Sequence, residues 1–351
     1  MEAIKAYKGF NKDMTCRDFQ YEEGKEYETG RAEACECGFH ACPYPLDIFS
    51  HYPPGKSVYH EVEQSGDLDK SESDKVASTK IKIGARIDII GLVKAAIEYV
   101  KERCTNENNA EPGKPATAGS YGAATAGSYG AATAGSYGAA TAGDSGAATA
   151  GSYGAATAGD SGAATAGYRG AATAGDRGAA TAGESGAATA GESGAATAGS
   201  YGAATAGYRG AATAGYRGAA TAGDRGAATA GSYGAATAGS YGAATAGSYG
   251  AATAGSYGEA TAGSYGAATA GSYGAATSRG SSASGESGLS VARGNGVKVK
   301  GGIGAVLVIA EEYSDSYKIK DWSAVVVDGV NVKADTWYEL KNGELMECKE
   351  E

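Results

Sequence analysis

Along residues 1–112 the apolar and polar positions follow the patterns of a small globular domain. Ser57–Glu63 alternates with a period of two and predicts a strand, and Ile4–Phe10, a segment near Cys16–Tyr21 and one near Thr79–Ile90 predict three more. Gly91–Cys104 instead places Val93, Ile97, Val100 and Cys104 on one stripe, the pattern of an amphipathic helix lying on that sheet. Pro43 opens a shorter helix through about Tyr52, which Pro53-Pro54-Gly55 closes. These elements predict an α+β domain over residues 1–112.

From Thr117 the period becomes eight. Thr recurs at every eighth position as far as Thr277, and twenty complete T-A-G-x-x-G-A-A units run from Thr117 to Ala276, varying almost only at the x-x pair. A disordered Gly/Ala linker has no need of an unbroken phase. A stacked β-coil does, because each residue lies above its equivalent one coil below. The repeats therefore predict a β-solenoid over residues 113–304, with A-A-T-A as strand and G-x-x-G as a turn whose glycines supply φ > 0. Two units make a flat coil of sixteen residues, and three per coil is the alternative.

The degenerate end of the array bears on facing. Val291–Lys298 and Val299–Val306 continue the unit after a two-residue phase shift, with Val in place of Thr, and Val297-Lys298-Val299-Lys300 alternates valines in and lysines out. By analogy Thr and the Ala two residues before it point inward. Glu259, which occupies that Ala position, argues the reverse. Fourteen repeat tyrosines sit at the turns, and Tyr121, Tyr129, Tyr137, Tyr153, Tyr201 and Tyr233 are candidates for an external binding ladder. The competing reading makes them solubilising turn residues.

Residues 305–351 read as a β-meander with strands at Ala305–Ala310, Ser323–Val327, Val330–Lys333 and Thr336–Leu340, turned at Asp328-Gly329 and Asn342-Gly343. Trp322 and Trp337 are expected in a core or cap, with carbohydrate binding as the alternative. Open ends of a parallel stack template further pairing, so the flanking domains are expected to cap it. End-to-end assembly or a homo-oligomer is compatible with the same feature.

Composition narrows the function classes. The net charge is −10, of which the repeats contribute only −2, so they supply neither a basic stripe for nucleic acid nor the dense carboxylates of a nucleic-acid mimic. No signal-peptide core and no run of eighteen apolar residues occurs, which leads to an expectation of a cytoplasmic protein with no membrane partner. The six cysteines (16, 35, 37, 42, 104 and 348) form no even disulfide framework. Cys35, Cys37, His40 and Cys42 carry zinc-type donors, but four donors within eight residues do not easily surround one ion, and buried thiols are the expected reading. No phosphate loop, nucleophile elbow or His-Glu-x-x-His motif appears, and no metal or cofactor is expected.

Three resemblances add to this. Tyr7-Lys8-Gly9, Gly38-Phe39-His40 and Tyr59-His60-Glu61-Val62 resemble the layout of small ADP-ribosyltransferase-like domains, which implies an NAD pocket with a carboxylate and singles out Tyr7, His40 and Glu61 as candidate catalytic residues. Lys5–Phe10, Gly38–Cys42, Pro45-Leu46-Asp47, Tyr52–Gly55 and Glu61–Gly66 look like an uncharacterised domain of bacterial and phage or prophage proteins that precedes Gly/Ala-rich repeats and a β-rich tail. That resemblance implies a phage-linked origin and no established activity. Ala166–Thr173 is similar to the octapeptide of bacterial ice-nucleation proteins, implying two octapeptides per coil, although the second Thr of the T-x-T pair is Ala here.

The fold class expected is mainly β, an octapeptide-repeat β-solenoid flanked by a small N-terminal α+β domain and a C-terminal β-meander cap. The function expected is structural or binding, with a protein as partner. The alternatives are an ADP-ribosyltransferase-like or NAD-binding domain on a solenoid spacer, and an ice-binding solenoid.

Overall fold

The computed structural model describes residues 3–17, 19–72, 74–103 and 106–349, the side chains of 106–108 excepted. Cys104, the last residue of the predicted helical stripe, lies outside them. The protein is mainly β, with a small N-terminal domain, a β-solenoid of about thirteen turns in residues 109–311, and a C-terminal strand region. The chain divides into two compact units, Met1–Thr189 with Thr197–Ala203, and Ala190–Ala196 with Ala204–Glu351.

In the first unit, strands β1 (Ile4–Asn11), β6 (Ser57–Asp69), β7 (Val76–Ile87) and β4 (Glu26–Glu28) form an antiparallel sheet, with β5 (Phe39–Ala41) also on β7. The strand expected near Cys16–Tyr21 is instead a tight pair, β2 (Thr15–Cys16) and β3 (Phe19–Gln20). One face of the sheet buries Ala6, Phe10, Phe39, Val62, Ile81 and Ile83. Gln64, fully buried, donates from Nε2 to the carbonyls of Phe39 (2.7 Å) and Val76 (2.9 Å), tying β5 to β7. The short helix expected from Pro43 begins at Pro45, as one 3-10 turn and then α1 (Ile48–His51). Helix α2 (Ile89–Arg103) buries Leu92, Val93, Ala96 and Val100.

The solenoid carries two octapeptides per coil. Residues pair in parallel with those sixteen positions on, Thr125 with Thr141 and Thr133 with Thr149. Strand β8 (Asn106–Ala110), which has no apolar pattern, joins the stack by pairing with Gly122–Ala126. Its pairing is set by the coil beside it.

Two expectations about the repeat are corrected. Within A-A-T-A the second and fourth residues are buried, as at Ala132 (1 % exposed) and Ala134 (3 %), whereas Thr133 and Ala131 are exposed. Thr therefore faces outward, in agreement with Glu259, which is also exposed. The valine analogy failed through register. Val291 does lie over Thr277, but the next position over Thr is Lys300, and Val299 lies over the buried column of Ser282. One extra residue in that turn moves the following side chains to the opposite face.

The second correction concerns the turn. The left-handed residue is the second variable one, with φ of 57° at Tyr137, 55° at Ser145 and 53° at Arg169, and not a glycine. The glycines serve close stacking. A methyl group at Gly138 would lie 2.8 Å from both Ala134 Cβ and the Gly122 carbonyl oxygen of the coil below. The turn closes through Gly138 N–H to the Gly135 carbonyl (3.1 Å), while Tyr137 N–H donates to the Ser152 carbonyl of the next coil (2.9 Å).

In the second unit the same coils continue into strands with larger side chains. Val299, Leu307, Ile309, Val327, Tyr338 and Leu340 form a core unlike the thin Ala core of the repeats. The parallel stack ends where Val306–Glu312 meets Ile319–Val326 and Val299 meets Tyr338, both antiparallel, which realises the expected C-terminal cap. Val330–Lys333 is not a strand. The Asp328 carboxylate accepts the N–H groups of Val330, Asn331 and Val332 and winds the segment into a turn. Asn342-Gly343, both at positive φ, joins Trp337–Lys341 to a further strand, Glu344–Cys348. Trp337 is half-buried, with Lys300 Nζ 4.8 Å over its ring, while Trp322 is 68 % exposed and is not a core residue.

Candidate functional site

The first functional feature is the way the N-terminal domain sits on the coils of its own unit. Alternate strands begin with Ala139, Ala155, Ala171, Ala187 and Ala203, and these outer alanines are buried against Tyr44, Leu46, Phe49, Leu92, Val93, Ala96 and Val100. The equivalent alanines of the other strands in this unit, Ala131, Ala147, Ala163 and Ala179, are exposed. The domain therefore lies flat on one face of the coils, correcting the expectation that it caps their end. Alanine at this position lets α2 approach the strands closely.

One repeat residue anchors the contact. Arg169 donates from Nη1 to Asp47 Oδ1 (2.9 Å) and to Tyr153 Oη (2.9 Å), and from Nη2 to Ser50 Oγ (2.9 Å). Tyr44 Oη donates to the Arg169 carbonyl (2.8 Å), and Tyr44 meets Tyr153 and Tyr99 at ring distances of 5.8 and 5.3 Å. One coil on, the position is Ser185, 3 % exposed beside Ser50, where a tyrosine of the neighbouring repeats would meet the domain. Burial pushes the Asp47 carboxyl up to about 7, against the attraction of Arg169 and with repulsion from Asp74 adding to the shift.

The second feature is the tyrosine ladder. Tyr121, Tyr137 and Tyr153 stack along one turn edge at 5.0 and 4.8 Å, with ring planes within 7°. In the other unit Tyr233, Tyr249 and Tyr265 stack at 4.9 and 5.0 Å, and Tyr241, Tyr257 and Tyr273 do likewise on the second edge. Tyr129 is 78 % exposed and Tyr201 is half-buried. Where the left-handed turn residue is Tyr, the stacks account for keeping a side chain there. Each such residue costs about 1 kcal/mol of backbone strain, and ring stacking returns a comparable amount.

The third feature is a cavity of about 590 Å³ in the N-terminal domain. Lys8, Cys16, Arg17, Phe19, Phe39, His40, Cys42, Tyr52 and Lys75 line it, together with Tyr7. Lys8 Nζ donates to the His40 carbonyl (2.8 Å), and burial holds its ammonium below the usual lysine range. Burial likewise lowers His40, to which the charges of Lys8 and Arg17 add. Cys16 Sγ and Tyr52 Oη lie 2.7 Å apart.

None of the three cavities and grooves described beside these residues gathers Tyr7, His40 and Glu61 together. Tyr7 is buried, lies opposite Glu61 across β1 and β6 and lines one groove with it, while Glu61 pairs with Lys5 (2.9 Å) and does not line the 590 Å³ cavity that holds His40. His40 reaches only the 590 Å³ cavity, among the described grooves. Cys35, at φ 67°, receives no converging ligand set: its N–H donates to His40 Nε2 (3.1 Å), Cys42 is buried, and among the described residues no three His, Cys, Asp or Glu side chains converge as a metal site. Cys16, Cys35, Cys37 and Cys42 are free thiols. Sequence reasoning missed Asp47 and Arg169. The signal available was the Tyr168-Arg169 pair, the first departure of the array to place Arg in a turn.

These features define a β-solenoid protein carrying a small α+β domain on its coils. Residues 4–95 match a domain family of unknown function, DUF7666. No curated protein and no solved structure matches the chain. Among the described residues no helix is long and apolar enough to cross a membrane.

Proposed function

We propose that this is a non-enzymatic structural or interaction protein, phage- or prophage-linked, whose solenoid presents a repetitive surface to a protein partner and holds the N-terminal domain at a set coil. The observation that carries the reading is the periodic exposed surface. Stacked tyrosines Tyr241, Tyr257 and Tyr273 are 52–58 % exposed and repeat once per coil, giving flat aromatic area at little conformational cost. The resemblance of the N-terminal segment to phage and prophage proteins supports the linkage. The test is affinity capture with the full chain and with a Tyr241→Ser, Tyr257→Ser, Tyr273→Ser variant of unchanged circular dichroism. A partner retained by the first and lost by the second supports the reading, and identical captures from both count against it.

A second reading is favoured by the outward Thr. Thr133, Thr149, Thr165 and Thr181 form an exposed column in parallel register, beside a column of exposed Ala. Hydroxyls repeated at about 4.8 Å along a flat sheet are an arrangement that orders water. Thermal hysteresis of the purified protein would support ice binding, and freezing behaviour equal to a matched albumin control would remove it.

A further inference from the structure

The 590 Å³ cavity of the N-terminal domain has a charge pattern opposite to that of the chain. The protein carries 40 acidic and 30 basic residues, yet Lys8, Arg17 and Lys75 line this cavity and no Asp or Glu does so among the described residues. Lys8 is the informative member. It is 5 % exposed, its amine donates to the His40 carbonyl (2.8 Å) and lies within hydrogen-bonding reach of the Cys16 side chain, and no described carboxylate forms an ion pair with it. A buried lysine is costly, and one with no described carboxylate beside it favours an anionic ligand. The groups facing it are Cys16 from β2, Arg17 from the β2–β3 turn, Cys42 beyond β5, and the rings of Phe10 and Tyr21 at 5.6 Å. None supplies a carboxylate.

The remaining wall is aromatic. Phe19 keeps 45 % of its surface exposed while packing edge-on against Tyr21 at 4.8 Å, and Phe39 and Tyr52 continue the lining. A flat apolar wall beside three cations suits a ligand that joins a planar ring to an anion, and the volume lies in the range of small-molecule sites. We propose that this cavity binds a nucleotide, with the phosphate drawn to Lys8, Arg17 and Lys75 and the base resting against Phe19. Glu61, the carboxylate that a transferase-like reading requires, does not line the cavity. The site is therefore read as one of binding, with no acid among its described lining residues placed for group transfer.

Isothermal titration calorimetry of the full chain with AMP, ADP, adenosine and inorganic phosphate tests this. The expected result is saturable one-site binding of AMP or ADP, with adenosine and phosphate each weaker. Arg17→Glu with Lys75→Glu should lower nucleotide affinity by about tenfold or more, since two attractions become repulsions. Phe19→Ala should weaken the nucleotide and leave inorganic phosphate unchanged. Lys8→Met, which exchanges a buried amine for an apolar chain, should keep or raise the melting temperature while lowering affinity. The proposal fails if neither nucleotide binds at millimolar concentration, or if binding survives both the charge reversal and Lys8→Met. It fails equally if inorganic phosphate binds as tightly as the nucleotides and Phe19→Ala changes nothing.

Discussion

The guanidinium of Arg169 lies 2.9 Å from the carboxylate of Asp47, 122 positions away in sequence, and both side chains are nearly buried, at 11 % and 4 % exposure. One turn residue of one repeat thus holds the N-terminal domain in a single register on coils that otherwise repeat. An Ala face alone would accept the domain one coil higher or lower. The buried pair specifies the position, since any slip leaves two charges buried without partners.

Removing either partner is expected to loosen this contact. Arg169→Ala removes the hydrogen bonds to Asp47, Tyr153 and Ser50, while Asp47, already raised to about 7, takes up a proton, so the loss should be about 1–3 kcal/mol. Hydrogen exchange is the measurement, with faster exchange across Tyr44–His51 and unchanged protection of distant repeats such as Ala235–Ala254. Equal exchange in wild type and variant would show that the apolar face is sufficient.

Acidity should tune the same contact. The folded-state pKa of Asp47 stands at about 7, above its ordinary 3.8, so the folded protein binds more protons than the unfolded chain between these values. Stability from this group is therefore present at low pH and lost as pH rises from about 4 to about 7, with a limiting slope of about 1.4 kcal/mol per pH unit. Asp47→Asn should remove that dependence. Urea unfolding of the N-terminal domain, followed at pH 5 and pH 8 in both proteins, checks the sign.

Coil deletions should differ by place. Each coil contacts mainly its neighbours, so removing Thr237–Ala252 is expected to leave a folded protein with Arg169 docked. Removing Thr133–Ala148 shifts Arg169 by one coil relative to the chain entering through β8, and the domain can no longer reach both its Ala face and its anchor. The first deletion should keep the exchange protection of Tyr44–His51 and the second should lose it.

Facing and turn geometry predict paired substitutions. Thr245→Lys, on an exposed position, should change stability by less than about 0.5 kcal/mol, whereas Ala244→Lys, 1 % exposed, should unfold its coils by burying a charge. Ser145→Gly relieves a left-handed serine and should stabilise by up to about 1 kcal/mol. Gly146→Ala brings a methyl to 2.9 Å from both Ala142 Cβ and the Gly130 carbonyl oxygen and should destabilise. Thermal melts of the four variants test all of these together.

The repeat, its strand and turn segments and its compatibility with two units per coil are legible in the residues alone, because backbone stacking demands an unbroken phase and small residues that fit it. It also carried the main strands and helix of the N-terminal domain, where periods of two and 3.6 mark sheet and helix faces. Tertiary structure decided what periodicity cannot carry. The face of Thr depends on register, and one extra residue before Val299 inverted the analogy drawn from it. Strand β8 has no pattern of its own and exists because the first coil offers it partners. The place of the N-terminal domain rests on Arg169, Asp47 and Ser185. Arg169 is marked locally only as the first Arg in a turn of the array, Asp47 and Ser185 not at all, and only the long-range packing of the chain brings them together.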